Sequence, residues 1–160
     1  MSETAMQVEL TKEHQWLGQM VGEWSCEMEA AMSPDGATEN HESRERVRSL
    51  GGAWVLLEGE MGGEHATLMT LGYDPAKGRF VGSFVGSMMT NQWVYEGELD
   101  ESGNTLVLST HGPSAAGDGT YTDYRDTMEI RGPDHRILSS AYRGPDGEWK
   151  HFMTAHYRRV

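Results

Sequence analysis

Residues 67–100 read TLMTLGYDPAKGRFVGSFVGSMMTNQWVYEGELD, and the reading of this stretch decides the fold. Asp74-Pro75-Ala76-Lys77-Gly78 carries turn chemistry, since proline presets its φ and the glycine accepts a positive one. Around it lie three successive runs of apolar, aromatic and β-branched residues of strand length, joined by polar breaks. One face collects Phe80, Gly82, Phe84, Gly86 and Met88, and the next run adds Trp93, Tyr95, Gly97 and Leu99. Glycines spaced along such a face indicate close backbone approach or strong curvature. A sheet with this face is expected to wrap around a small-molecule cavity.

The same parsing extends outward in both directions. Thr11 caps a short helix whose apolar stripe is Trp16, Leu17, Met20 and Val21, with Gly22 as its stop. Strands then follow at about 23–32, 38–49, 54–61, 65–73, 79–89, 92–99, 105–111, 120–130, 135–143 and 148–159. Turns are expected at Ser33-Pro34-Asp35-Gly36, Gly51-Gly52, Gly62-Gly63, residues 100–104, Gly132-Pro133-Asp134 and Gly144-Pro145-Asp146-Gly147. The loop 112–119 is the one irregular segment long enough to serve as a lid. A meander of about ten strands removes its edges by closing on itself, and a barrel of this size has room for one small ligand. The expected fold class is therefore all-β, a closed antiparallel up-and-down barrel with a short N-terminal helix. Residues 1–10 are read as a flexible N-terminus and 11–160 as a single barrel domain.

Composition agrees with this class. Hydrophobic residues make up 37% of the 160 and glycines number 20, a balance that short strands and turns produce and a helical bundle does not. The formal net charge of −12 argues against nucleic acid and anionic lipid surfaces as partners. Cys26 is the only cysteine, so no intramolecular disulfide forms; its alternation with Trp24 and Met28 marks it as a small core residue. The first residues show neither a basic nor an apolar leader region, and no run is long enough to span a bilayer. A cytoplasmic protein with no membrane partner is expected.

Alternation also proposes lumen residues, subject to inversion by any one-residue bulge. In the last strand Trp149, His151, Met153, Ala155 and Tyr157 oppose Lys150 and Arg158 and are pointed inward. In the second strand Arg44, Arg46 and Arg48 share a face opposite Glu45 and Val47. In the third, Trp54, Leu56, Glu58 and Glu60 lie together. Two readings of Glu58 stand side by side: a buried acid with a shifted pKa and Arg46 as its partner, or one rung of a solvated ion-pair ladder outside the barrel. The candidate ligand contacts are Arg46, Trp54, Phe84, Met88, Trp93, Tyr95, His151 and Met153. Glu58 and His151 are the candidates for general acid or base chemistry.

No nucleophile elbow, phosphate loop or zinc-ligand spacing occurs. His151 and His156 are five apart, on opposite faces of one strand. No metal site and no cofactor are expected, with haem as the alternative and His156 or His151 as its ligand, because a single lumenal histidine suffices for haem.

The order of a short helix, Gly22-Glu23-Trp24 and then about ten strands resembles the calycin superfamily of lipocalins and fatty-acid-binding proteins. That resemblance implies that Trp24 plugs one barrel end against a basic residue from a late strand, here Arg158 or Arg159. More closely, Arg46-Val47-Arg48-Ser49-Leu50-Gly51-Gly52, Leu71-Gly72-Tyr73-Asp74-Pro75, Gly86-Ser87-Met88-Met89, Trp93-Val94-Tyr95-Glu96-Gly97-Glu98-Leu99 and the run 152–159 (FMTAHYRR) resemble a bacterial lipocalin-like domain family of unknown function, over about residues 13–159. The resemblance implies the fold and a cytosolic bacterial setting and no substrate. The haem-binding nitrobindin barrels carry a late histidine where His156 stands, but their Gly-x-Trp-x-Gly-x-Gly opening is replaced here by Gly22-Glu23-Trp24-Ser25-Cys26-Glu27-Met28. The expected function is the binding of an apolar or aromatic small molecule in the lumen. The alternatives are an enzyme using the same cavity, or haem binding; whether the protein is a homodimer stays open.

Overall fold

In the computed structural model residues 8–31, 38–61 and 65–160 are described. The turns expected at 33–36 and 62–63, and most of the N-terminal segment, lie outside them. After the helix α1 (Lys12–Gly18) come β1 (Gly22–Ala31), β2 (Thr38–Leu50), β3 (Trp54–Met61), β4 (His65–Asp74) and β5 (Arg79–Gly86). The chain continues through β6 (Trp93–Leu99), β7 (Thr105–Pro113), β8 (Tyr121–Gly132), β9 (His135–Arg143) and β10 (Trp149–Arg159). Every strand pairs antiparallel with its neighbours in sequence, and β1 pairs with β10, so ten strands close into a barrel. Closure leaves no free sheet edge. Among the described residues no helix is long and apolar enough to cross a membrane.

The helix is only seven residues long, too short to persist without tertiary support. His14 supplies part of that support. Its Nδ1 accepts the Thr11 N–H at 2.9 Å and its Nε2 donates to the Tyr73 carbonyl at 3.0 Å. The two partners assign the ring proton to Nε2 and fasten the helix to the end of β4. Leu17 and Met20 are buried, and the Trp16 indole donates to the Gly103 carbonyl at 2.9 Å. The helix ends at Gly18, before the stop expected at Gly22, and Val21 is 39% exposed.

Gly22 has a different task. It opens β1 with φ +143°, and a Cβ there would collide with the Arg159 guanidinium. That guanidinium lies 4.3 Å from the Trp24 ring centroid and donates to the carbonyls of Val21, Gln19 and Pro133. Trp24 is 2% exposed, and its indole donates to the Met20 carbonyl at 2.9 Å. The late basic residue implied for the Trp24 plug is thus Arg159. Around the plug Leu17, Met20, Val47, Val55, Leu71 and Phe80 form a buried layer that seals the helix end of the barrel.

Register explains which faces point in. In β3 the buried residues are Val55 and Leu57, not Trp54 and Leu56. In β10 the pairing with β9 slips between His151 and Met153, leaving Phe152 as an extra residue. Met153, Ala155 and Tyr157 face inward beyond that bulge, while His151 pairs with Ala141 and faces out.

Gly22→Ala is expected to destabilise the fold by at least about 2 kcal/mol, through backbone strain and displacement of Arg159. Denaturant unfolding would show this as a lower midpoint; a wild-type midpoint would contradict the account of the plug.

Candidate functional site

Above the sealed end the lumen holds a cavity of about 370 Å³, within the range of small-molecule sites. Met69, Phe84, Met128, Leu138 and Met153 form apolar wall, and Trp93, Tyr124 and Phe152 stand nearer the loops that join β5 to β6, β7 to β8 and β9 to β10. Trp93 is held from three sides. Its ring meets Tyr124 edge-on at 4.9 Å, its indole N–H points at the Met89 sulfur at 3.2 Å, and it lies on Gly112, where any Cβ would collide with it. Tyr124 donates its hydroxyl to the Pro113 carbonyl at 2.6 Å and meets Phe152 edge-on at 6.2 Å.

Some of the polar groups in this wall, from β6, β7, β8 and β9, lie near one another. Tyr95 donates its hydroxyl to Asp126 Oδ2 at 2.7 Å. Ser140, the cross-strand partner of Asp126, stands beside the carboxyl. Burial pushes the Asp126 carboxyl above the ordinary carboxylate range, against the opposing pull of the Tyr95 hydroxyl. Burial, followed by the Asp126 charge, pushes the Tyr95 phenol up. Thr110 also lines the cavity, its Oγ1 buried and without a hydrogen-bond partner among the described residues.

Beneath lies a second buried group. Arg136 is 1% exposed and donates to Glu45, which reaches the cavity wall. Its guanidinium is 4.0 Å from the Tyr157 ring centroid and 4.7 Å from that of Trp24. Burial raises the pKa of the neighbouring Cys26 thiol, which makes it a packing residue and a poor nucleophile.

Of the residues expected at the site, Phe84, Met88, Trp93, Tyr95 and Met153 come together around this cavity. Arg46, Trp54, Glu58 and His151 do not. Arg46 is exposed, in register with Glu58, and Glu58 pairs with Arg48 at 2.8 Å in the ladder outside the barrel. Trp54 is 40% exposed, its ring lying over Gly72. The bulge in β10 turns His151 outward, where it bonds Thr154 Oγ1 at 2.7 Å. His156 also lies outside, its Nδ1 3.1 Å from His135 Nε2 with the two rings stacked. Among the described residues no group of three or more His, Cys, Asp or Glu side chains is placed to hold a metal ion. Asp126, Ser140 and Thr110 were not singled out from sequence. The available signal was β8 itself, where Asp126 alternates with Tyr124, Met128 and Ile130.

A family model described as "Protein of unknown function (DUF1579)" matches residues 9–159, and the chain belongs to that family. No curated protein matches it in sequence. Among solved structures, Rv2717c from M. tuberculosis is similar at a TM-score of 0.63 and 14% identity, over 95% of this chain and 99% of that one. The S-type phycobiliprotein lyase CPES from Guillardia theta is similar at a TM-score of 0.55 and 14% identity, over 100% and 98%. Both likenesses are of fold.

A folded-state pKa raised above the unfolded one means that the native state holds the Asp126 proton more tightly. Its contribution is full below the unfolded pKa and is lost as pH rises through the folded pKa. Asp126→Asn is therefore expected to gain stability relative to wild type as pH rises through that window and to hold a constant advantage above it. Urea unfolding series at stepped pH measure the difference; parallel profiles would contradict a buried, proton-holding carboxyl.

Proposed function

We propose that this member of the DUF1579 family is a calycin-like small-molecule-binding protein that holds an apolar or aromatic ligand in its barrel lumen. The observation that carries the reading is the cavity of about 370 Å³ whose wall is built mainly of methionine and aromatic side chains. Methionine gives an adaptable lining that accepts more than one ligand shape. The rings of Trp93, Tyr124 and Phe152 offer edges and faces on which a flat ligand packs. The Trp24–Arg159 contact is the feature that favours a calycin-like architecture over an unrelated barrel, because it joins the first and last strands at the sealed end.

Binding is favoured over catalysis by where the acid and base candidates sit. Glu58 and His151 are on the outer face, each engaged by a neighbour there. Of the carboxyls that line the cavity, Glu45 is paired with Arg136, Glu60 is exposed, and Asp126 accepts the Tyr95 hydroxyl, as suits a group that orients a ligand.

Trp93→Ala is expected to weaken binding of N-phenylnaphthylamine, an uncharged apolar fluorophore, about tenfold, because stacking and burial of one aromatic side chain supply that much. Fluorescence titration reads the affinity. Equal affinities for wild type and variant would remove the lumen as the binding site.

A further inference from the structure

The cavity's polar groups specify the kind of ligand more narrowly than its apolar wall does. A carboxyl offers about four lone-pair sites, and the Tyr95 hydroxyl occupies one of them at Asp126. Thr110 is a diagonal neighbour of Asp126 on the inward face, since Leu108 pairs with Asp126 and Thr110 with Tyr124. Its hydroxyl is buried in the cavity wall with no partner among the described residues, an arrangement folded proteins rarely leave unfilled.

Charge points the same way. Among the described residues the wall's one cationic side chain is Arg44, which is exposed. The buried Arg136 is bound to Glu45 and does not line the cavity. A ligand carboxylate would thus be desolvated with no buried counter-charge, at a cost that shape complementarity does not offset. A protonated amine would meet Asp126 and the faces of nearby aromatic rings, which attract cations. The net charge of −12 adds a long-range attraction of the same sign.

We propose that Asp126 and Thr110, with Tyr95 holding the carboxyl in place, form a recognition point for an apolar or aromatic amine, whose nitrogen donates to both. This rests on the lumen-binding reading and adds a ligand class to it. A second donor on the nitrogen fills the vacant Thr110 acceptor, and the apolar body lies among Trp93, Met128 and Met153.

The test compares naphthylethylamine, naphthylethanol, ethylnaphthalene and naphthylacetate, near-isosteric probes that differ in the polar end, by isothermal titration of the full chain. The amine is expected to bind at least about tenfold more tightly than ethylnaphthalene, the size of one charge-assisted hydrogen bond, and naphthylacetate the most weakly. Asp126→Asn should reduce the amine-to-ethylnaphthalene affinity ratio at least about fivefold, and Thr110→Val, which keeps the side-chain shape, should reduce it about threefold. Equal binding of all four probes to wild type, or tightest binding of naphthylacetate, would overturn the inference while leaving lumen binding intact. Binding of none of them would overturn both. The wild-type series decides the question even where a variant fails to fold.

Discussion

The Arg159 guanidinium lies 4.3 Å from the Trp24 ring centroid while its nitrogens reach the carbonyls of Val21, Gln19 and Pro133. Four parts of the chain meet at this one side chain: the segment after the helix, the first strand, the β8–β9 turn and the last strand. A cation over an indole is worth about 0.5–2 kcal/mol, and charge-assisted bonds to three carbonyls add to it. The larger consequence is geometric. With Trp24 fixed, the helix is held over this end of the barrel. Gly22 is the condition for it, because no other residue leaves room for the guanidinium at that backbone angle.

The lumen is divided by how its charges are compensated. Near the plug, Arg136 and Glu45 neutralise each other between Trp24 and Tyr157. Breaking such a buried pair costs about 3–5 kcal/mol, so it is a structural element and a poor ligand site. Farther up, Asp126 accepts the Tyr95 hydroxyl and has no paired cation among the described residues. The Thr110 hydroxyl beside it has no partner among the described residues. The difference between these two clusters separates the floor of the cavity from its recognition point.

Strand positions and connections were largely legible in the sequence, because Asp74–Gly78, Gly132–Asp134 and Gly144–Gly147 carry turn chemistry that leaves few alternatives. The aromatic face of 67–100 was legible for the same reason: its alternation is unbroken from Phe80 to Phe84 and from Trp93 to Leu99. Faces elsewhere were harder. In β10 the extra residue Phe152 swaps parity, so Met153 read correctly while His151 did not. In β3, Trp54 and Leu56 are as apolar as Val55 and Leu57, and alternation alone has no preference between the two sets; the β2 partner Val47, buried opposite Leu57, decides it. Asp126 was overlooked because an aspartate in a barrel strand resembles any solvated one until its neighbours Tyr124, Met128 and Ile130 are placed on the same face.

The central claim is a ligand cavity sealed from the helix end by Trp24 and Arg159. Methionine methyl resonances report on both sides of that seal, with Met69, Met89, Met128 and Met153 around the cavity and Met20 behind the plug. In a protein carrying isotope-labelled methionine methyl groups, titration with N-phenylnaphthylamine should shift these cavity signals, with those of Met28 and Met88, in a saturable, concerted way and leave Met20 unmoved. A titration that shifts Met20 or exposed positions while the cavity methyls stay in place would contradict the account.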